Sequence, residues 1–478
     1  MVRSPTRAPA RRSSAQPRSS TAQPTSSTPK PLGEFTGRYL VLLKEDGVKE
    51  GLHAVKNATG LGQVCNSADF ASSAVEMAQA DQSEVFFLDR LNVAVVNADP
   101  TQAGGLRAAE AEDGAILAVE PERIMYALSA PPPPLPLEYL RGYRDAVNQL
   151  YTMLTSPPGE TTAALAAAAF ADDAEFTWGL QATRAHQSRF LGRGVRVAVL
   201  DTGFDLDHPD FAGRNVVSQS FVQGEAVDDQ NGHGTHCVGT SLGAHQLAGG
   251  ARRYGCASQA DIFVGKVLSN QGSGGDAGIL AGINWAIANK CRIISMSLGA
   301  PVQPGESFSQ IYENVAQRAL QSEPGTLIIA AAGNESRDPQ TGQRRQPPNP
   351  VGRPANCPSI MAVAALDSSM GIAPFSNGGI NPQGGGVDIA GPGVAIFSSA
   401  PDPAATPQPP RFIQWPARYN TISGTSMATP HVAGIAAMWL EARGRDTSAQ
   451  ALWQLLTGNA LRLGLHSQDV GTGLVQAP

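Results

Sequence analysis

Residues 195–211 read VRVAVLDTGFDLDHPDF, and this stretch decides the fold class. An apolar run of strand length ends at Asp201 and is followed by Thr202 and Gly203. Apolar residues on both faces are typical of a buried parallel strand, and active-site groups of such sheets gather at the carboxyl ends of the strands. The stretch therefore predicts a parallel α/β domain with Asp201 at its functional edge. Taken alone, an Asp after a strand is more often an ordinary loop acid or helix cap.

The same alternation of apolar strands and long helical segments continues over 177–478. This order is typical of an α/β/α sandwich with a parallel sheet. The chain has 478 residues, which is too long for one ordinary domain. A second folded unit is therefore expected N-terminal to residue 177.

Charge and hydropathy exclude two classes of partner. Residues 1–30 hold six Arg or Lys and no acid, whereas the rest of the chain carries a net charge of −12. An acidic body argues against nucleic-acid binding. No run of about 18 apolar residues occurs, so no membrane span is predicted.

The N-terminal third divides into three parts. Residues 1–34 form a basic tail rich in Ser, Thr and Pro, for which we expect disorder. Residues 35–128 alternate strand-like and helix-like patterns in the order β-α-β-β-α-β, which predicts a ferredoxin-like unit. Residues 129–176 begin with four prolines near 131–134 and predict a stiff spacer containing one helix.

A histidine motif, NGHGTHCVGT, occupies residues 231–240. His233 lies between two glycines at the predicted start of a helix, where an imidazole is open to a cleft. His236 follows three residues later, so a pair of metal-binding histidines is the alternative interpretation. An HxxH pattern without a third ligand is weak evidence for a metal site.

A serine motif, TISGTSMATPHVAG, occupies residues 421–434. Ser426 lies in a Gly-Thr-Ser-Met-Ala turn that opens a long apolar helix. Backbone N–H groups at a helix N-terminus favour negative charge, which suits a nucleophile whose attack creates an oxyanion. A plain N-cap serine is the alternative.

The three motifs occur in the order Asp, His, Ser, and together they resemble the subtilase family over 177–478. ISGTSMATPHVAG and GTHC are most similar to the proteinase K-like branch. The resemblance implies a subtilisin-like parallel-sheet sandwich and a serine endopeptidase that needs no cofactor for catalysis. It implies that Ser426 attacks the scissile carbonyl, His233 transfers the proton and Asp201 orients the imidazole.

The resemblance also implies an oxyanion hole and a substrate cleft. Asn334, in LIIAAAGNES (327–336), matches the amide that stabilises the oxyanion beside the Ser426 N–H. Protein or peptide substrates would bind as extended strands between two rims of the cleft. The implied substrate-binding residues are Gly274, Ser297, Leu298, Gly299 and Gly333.

A structural calcium site is implied by the proteinase K-like resemblance. Pro358 and Ile360 match two carbonyl ligands, and Asp388 matches a carboxylate ligand, an oxygen-only set that suits Ca²⁺. Asp388 bonding only to backbone is the alternative. Asp210 matches a ligand of the subtilisin calcium site, but its partner loop is missing, so we do not expect that site.

The unit at 35–128 resembles the inhibitory propeptide of the family, which implies a zymogen whose own prodomain is the inhibitor. An unrelated ferredoxin-like interaction domain is the alternative. Residues 336–353 and 400–419 read as insertions of unknown use. For the whole chain, a catalytically silent subtilase acting as a binding scaffold is the rival function.

Five cysteines without CxxC spacing predict free, mostly buried thiols rather than a disulfide framework. Cys237, four residues after His233, is expected on the same helix face, and the GTHC match implies a sulfur beneath the imidazole. The tail lacks the apolar stretch of a secretory signal. We expect synthesis in the cytoplasm and signal-independent release outside the cell, with a cytoplasmic enzyme as the alternative.

Overall fold

The computed structural model describes residues 34–70, 83–112, 114–129, 169–245, 247, 252–379, 384–402 and 418–478. Residues 1–33 of the predicted tail, the predicted spacer helix and most of the predicted insertion at 400–419 lie outside these ranges. All further structural statements concern the described residues.

A parallel sheet forms the centre of the C-terminal part, and its strands pair in the order β14-β13-β12-β10-β6-β8-β7. Four of these strands, β10, β12, β13 and β14, are buried along their whole length because both faces of the sheet are covered. The predicted α/β class is confirmed. The strands are β6 (Arg196–Asp201), β7 (Val216–Ser220), β8 (Asp261–Lys266), β10 (Ile293–Met296), β12 (Leu327–Ala331), β13 (Met361–Leu366) and β14 (Ile389–Pro392).

Helices cover the sheet, and two of them carry residues of the predicted site. Helix α4 begins at His233, and helix α7 begins at Thr425. These two helices approach closely at Gly434, where a Cβ would lie 2.6 Å from the Ser241 carbonyl oxygen. None of the helices in the described ranges is long and apolar enough to cross a membrane. The helices of this part are α3 (Trp178–Ala182), α4 (His233–Leu242), α5 (Asp276–Ala288), α6 (Gln310–Gln321), α7 (Thr425–Arg443), α8 (Ala449–Gly458) and α9 (Ser467–Val470).

The N-terminal segment folds around a second, mainly antiparallel sheet with strand order β5-β1-β4-β3-β2. Without the short β2, the elements follow the order β-α-β-β-α-β of a ferredoxin-like unit. One sheet face and the two helices enclose a small core that includes Val41, Val55 and Leu106. The elements are β1 (Phe35–Leu43), α1 (Val48–Thr59), β2 (Val64–Asn66), β3 (Val85–Leu88), β4 (Val93–Val96), α2 (Pro100–Ala111) and β5 (Ile116–Ala127).

Strand β5 also joins the C-terminal part. Its last residues pair antiparallel with β9 (Ser273–Gly275) on one side and with β11 (Leu298–Gly299) on the other. Backbone pairing of this kind binds an extended chain whatever its side chains. The segment that ends at Ser129 therefore lies as a third strand between two strands of the C-terminal part.

The remaining strands form a ribbon beside α4, made of β15 (Ile396–Ser399) and β16 (Tyr419–Ile422). The predicted insertion at 336–353 is a loop closed by a bridge between Arg337 and Arg344. Arg344 Nη2 also lies 2.8 Å from Asp469 Oδ1, which holds the loop against the C-terminal residues.

Candidate active site

Asp201 and His233 form a buried pair at the carboxyl edge of the parallel sheet. Asp201 is the last residue of β6, and His233 is the first residue of α4. His233 Nδ1 lies 2.7 Å from Asp201 Oδ1, and both side chains are fully buried. This contact fixes the tautomer in which Nδ1 carries a proton and leaves Nε2 as the basic nitrogen.

A hydrogen-bond network ties the two elements that carry this pair. Asp229 Oδ1 accepts from the Thr202 hydroxyl at 2.9 Å, and Oδ2 accepts from the Thr235 N–H and hydroxyl at 2.8 and 2.7 Å. Thr202 Oγ1 in turn accepts from the Gly234 N–H at 2.8 Å. Since Thr202 follows Asp201 and Gly234 follows His233, the network fixes the distance between the carboxylate and the imidazole.

The pKa of His233 reflects two opposing effects. Burial of the ring lowers the pKa, but the negative charge of Asp201 and its hydrogen bond outweigh burial, and Asp229 adds to them. The net pKa is raised above that of a free histidine. The imidazole is therefore a better proton acceptor than a buried ring without a carboxylate would be.

The alternative of a His233–His236 metal pair is not supported. His236 Nε2 lies 2.9 Å from the Ile396 carbonyl oxygen, and burial lowers the pKa of this ring to about 3. The structure does gather possible ligand atoms of Asp201, His233 and Cys237 within 4.8 Å of one another. However, His233 Nδ1 is already hydrogen-bonded to Asp201 Oδ1 at 2.7 Å, so two of these three ligand atoms are partners of each other.

Ser426 is the second residue of α7 and is fully buried. Its hydroxyl donates to the Ser297 carbonyl oxygen at 3.0 Å. His233 Nε2 has no hydrogen-bond partner within the described residues. The structure therefore places the serine at the site, but the proton-transfer contact between Ser426 and His233 is not made.

Asn334 follows β12 and reaches the same edge of the sheet. Its Oδ1 accepts from the Thr425 N–H at 2.9 Å and from the Thr425 hydroxyl at 3.0 Å. This leaves Nδ2 to point into the site, where it donates to the Leu128 carbonyl oxygen. A peptide carbonyl thus occupies the position at which the resemblance implies an oxyanion.

Leu128 is also bound through its amide, which donates to the Ser297 carbonyl at 3.2 Å. Along the strand, Ala127 pairs with Leu298 and Met125 pairs with Gly274. Met125 is fully buried and Leu128 nearly so. The end of β5 therefore lies in the cleft in the extended conformation that a substrate would adopt.

The implied substrate-binding residues lie on two rims around this strand. Gly274 belongs to β9 on one rim, and Leu298 and Gly299 form β11 on the other. A Cβ on Gly299 would lie 2.6 Å from the Arg353 carbonyl oxygen and 3.1 Å from Leu128 Cδ1. Gly333 lies beside Asn334 with φ 112°, and a Cβ there would lie 2.3 Å from Asn377 Nδ2. Both positions require a residue without a side chain.

Cys237 lies against the triad without taking part in it. Its sulfur is 3.8 Å from His233 Nδ1 and 3.6 Å from the Ser426 carbonyl oxygen. All five cysteines are free and four are buried, which confirms the prediction of free, mostly buried thiols.

The residues implied for calcium lie at the opposite edge of the sheet. Pro358 and Ile360 belong to the turn before β13, and Asp388 directly precedes β14, the parallel neighbour of β13. Asp388 Oδ2 accepts from the Ala362 N–H at 2.8 Å, and burial raises the pKa of this carboxyl to about 7. Asp210 is instead bound by two hydroxyls, those of Tyr254 at 2.6 Å and Tyr419 at 3.0 Å.

Several residues that organise the site were not singled out by the sequence. Asp229 and Thr202 tie the Asp201–His233 pair, and Thr425 orients Asn334. Glu335 Oε2 accepts from the Asn334 N–H at 3.1 Å and from the Asn377 amide, which fixes the turn. An acid shortly before a helix start is a recognisable capping signal, so Asp229 was detectable; Asn377 carries no local signal.

Comparison with known proteins agrees with this geometry. The sequence model of the Subtilase family matches residues 192–473. Subtilisin E of Bacillus subtilis (strain 168) is 37% identical over 298 residues, which cover 62% of this chain and 68% of the relative. The thermostable alkaline protease of Halalkalibacterium halodurans is 37% identical over 304 residues, covering 63% and 72%. An intracellular serine protease of Paenibacillus polymyxa is 36% identical over 293 residues, covering 59% and 79%. The chain belongs to the subtilase family and is a serine endopeptidase.

Proposed function

We propose that Asp201, His233 and Ser426 are the residues that carry out peptide hydrolysis. Ser426 Oγ attacks the scissile carbonyl while His233 Nε2 removes its proton, and the protonated imidazole then donates that proton to the leaving amine. A water molecule repeats the sequence on the acyl-enzyme. Asp201 keeps Nδ1 protonated and stabilises the positive charge that the ring acquires.

The Asn334 amide and the Ser426 backbone N–H are proposed to stabilise the oxyanion. The supporting observation is that Asn334 Nδ2 already donates to a peptide carbonyl, that of Leu128. A donor held in place by Thr425 needs no reorganisation when charge develops on the oxygen, and this is the source of its catalytic effect. For attack, the Ser426 hydroxyl has to turn from the Ser297 carbonyl towards His233.

Covalent labelling tests these roles against the rival of a silent binding scaffold. A fluorophosphonate probe modifies a serine only where a base activates it. We expect the active enzyme to be labelled at Ser426, and the Ser426→Ala variant not to be labelled. Labelling at another serine would contradict the assignment, and absence of labelling in an enzyme without bound N-terminal segment would favour the scaffold.

We further propose that residues 35–128 are a prodomain that inhibits the enzyme and is cleaved after Leu128. Counting from the scissile bond, Leu128 is then P1 and Met125 is P4. The binding of Leu128 by Ser297 and Asn334 supports this role, because these contacts are those expected of a bound substrate. The burial of Leu128 and Met125 also favours substrates with apolar P1 and P4 residues.

Carboxylates of β5 add to the proposed inhibitory contact. Glu120 accepts from the Gln310 N–H at 2.7 Å, at the start of α6, and from Arg353 Nη2 at 2.7 Å. Glu122 accepts from the Ala277 N–H at 2.9 Å, at the start of α5. Each capping interaction of this type is worth about 1 kcal/mol. Removal of the prodomain exposes both helix starts.

A structural calcium ion remains a proposal supported by chemistry. A half-buried carboxylate whose pKa is raised to about 7 is one that a cation would stabilise. Asp388, with the carbonyl groups of Pro358 and Ile360, would supply oxygen ligands only. The ion would stabilise the fold and take no part in catalysis.

Membership of the proteinase K-like branch and release from the cell are also proposals. Cys237 beneath the imidazole supports the former. The proposed prodomain supports the latter, because an inhibitor is most useful before release. Fractionation of cells and medium tests release, and protein found only inside the cell under all growth conditions would contradict it.

A further inference from the structure

Arg123 is the sixth residue before the proposed scissile bond, and it belongs to β5, the strand whose P2 to P4 residues pair with the two rims of the cleft. Its backbone N–H donates to Asp276 Oδ2 at 2.9 Å. Its guanidinium Nη2 donates to Glu306 Oε1 at 2.5 Å, and the two side chains of this pair are 12% and 21% exposed. One carboxylate thus accepts a hydrogen bond from the main chain of Arg123, and a second carboxylate accepts one from its side chain.

Both carboxylates also have hydrogen-bond partners within the C-terminal part. Asp276 directly follows β9, is fully buried, and accepts from the Tyr312 hydroxyl at 2.9 Å through Oδ1. Glu306 lies in the loop after β11, and its Oε2 accepts from the Gln303 N–H at 2.9 Å. The pair of acceptors therefore persists when the N-terminal segment leaves.

The charged side chains around the Arg123 guanidinium favour a cation at this position. Arg353 Nη2 lies 3.9 Å from Asp276 Oδ2 and offsets one of the two negative charges. Glu306 is then the anionic partner of the Arg123 guanidinium. Phe35, whose ring lies 5.6 Å from that guanidinium, belongs to β1 and would leave with the prodomain.

We infer that Asp276 and Glu306 form a P6 subsite that selects protein substrates with Arg or Lys six residues before the cleaved bond. Asp276 accepts the P6 amide, and Glu306 accepts the basic side chain. Arg123 Nε and Nη1 have no hydrogen-bond partner within the described residues, so one donor is sufficient and lysine is accepted as well. The inference rests on the proposed function, since it uses the register that places Leu128 at P1.

Peptides copied from β5 test the subsite. The long series is acetyl-X-Ile-Met-Tyr-Ala-Leu-aminomethylcoumarin, with Arg, Lys, Gln or Glu at X. The short peptide, acetyl-Met-Tyr-Ala-Leu-aminomethylcoumarin, stops at P4. For each enzyme, the kcat/KM values of the long peptides are divided by the value for this short peptide. All are assayed with active enzyme matured from the full chain, as wild type, Glu306→Gln and Glu323→Gln. Glu323 is exposed beyond the far end of α6 and provides a charge-matched control.

We expect kcat/KM to be about two- to fivefold higher for peptides with Arg or Lys at X than for the Gln peptide, and to be lowest for the Glu peptide. This ratio corresponds to the free energy of a partly exposed ion pair. Glu306→Gln should remove this preference, and Glu323→Gln should retain it. Equal values for Arg and Gln in the wild type, or a preference that survives Glu306→Gln, would overturn the inference. Failure to cleave even the short peptide would instead contradict the Leu128 register and the proposed function beneath it.

Discussion

The two halves of the proposed triad differ in how they are held. The Asp201–His233 half is fixed by a 2.7 Å contact and by the Asp229 network, which connects the end of β6 to the start of α4. The Ser426 half is open, because the hydroxyl donates to the Ser297 carbonyl and His233 Nε2 has no partner within the described residues. One half is therefore a fixed carboxylate–imidazole pair, and the other is a single rotatable hydroxyl.

The two halves therefore contribute differently to the site. The rigid half sets the tautomer and pKa of the imidazole and depends on buried backbone and side-chain contacts. The open half shares the Ser297 carbonyl with the amide of Leu128, so its hydrogen bonding depends on the chain that fills the cleft. Substitutions in the two halves should therefore differ in their effects on activity and stability.

The largest effect is expected from removing the hydroxyl of the open half. In subtilisin, replacing the serine or the histidine of the triad costs about 10⁶ in kcat and replacing the aspartate costs about 10⁴. We expect similar losses for Ser426→Ala and His233→Ala, and a smaller loss for Asp201→Ala. Peptide hydrolysis measures the loss of activity, and thermal melting measures any change in stability. Ser426→Ala should melt near the wild type, whereas Asp201→Ala should melt lower because it breaks the rigid half; the reverse order would contradict the comparison.

The next effect concerns Asn334, the proposed oxyanion donor beside Ser426. Asn334→Ala should lower kcat by about 10²–10³ with little change in KM, since the lost donor acts on the oxyanion. Steady-state kinetics of matured enzyme test this, with a melting curve to verify the fold. A change confined to KM would place Asn334 in substrate binding.

Cys237 provides a way to disturb the rigid half without mutating it. A bulky mercurial bound to this sulfur, 3.8 Å from His233 Nδ1, should displace the ring and remove most of the activity. Cys237→Ala should remain active and resist the reagent. Cys256→Ala removes another buried thiol and is the matched control, which should stay sensitive. Inactivation of Cys237→Ala at the wild-type rate would show that a different thiol is responsible.

The smallest effect is expected at Asp388, far from both halves. Its folded-state pKa is raised to about 7, so its contribution to stability is present below the unfolded pKa and is lost as the pH rises through 7. In EDTA, the melting temperature of Ser426→Ala protein should therefore fall between about pH 4 and 7, by about 2–4 °C for each kcal/mol lost. Added Ca²⁺ should restore it. Asp388→Asn in the same background should show neither the pH dependence nor the Ca²⁺ effect. Identical melting of the Ser426→Ala protein with EDTA and with Ca²⁺ would contradict the proposed calcium site.

The sequence predicted those features that local chemistry dictates. The apolar run before Asp201 could only be a buried strand of this fold class, and the glycines around His233 and Ser426 marked the two helix starts. The β-α-β-β-α-β order of the N-terminal segment was also readable, because each of its elements shows its own hydrophobic period. These signals lie within stretches of about 15 residues.

Contacts between distant segments could not be predicted in this way. The pairing of Leu128 with Ser297 joins residues far apart in the chain, and backbone hydrogen bonds leave no mark on side-chain identity. The rotamer of Ser426 depends on which acceptor is nearest. The acceptors of the proposed P6 subsite carry no local signal either, because Asp276 is simply the first residue of α5 and Glu306 lies in the loop after β11. Strand register and side-chain rotamers require the folded structure.

The central claim is that this serine endopeptidase binds its own strand in the cleft with Leu128 at P1. Intact mass and N-terminal analysis of purified full-length protein test it most directly. Wild-type protein should yield a fragment that begins at Ser129, and Ser426→Ala should remain a single uncut chain. A new N-terminus elsewhere as the first product, or cleavage at Ser129 in Ser426→Ala protein handled without other proteases, would contradict the account.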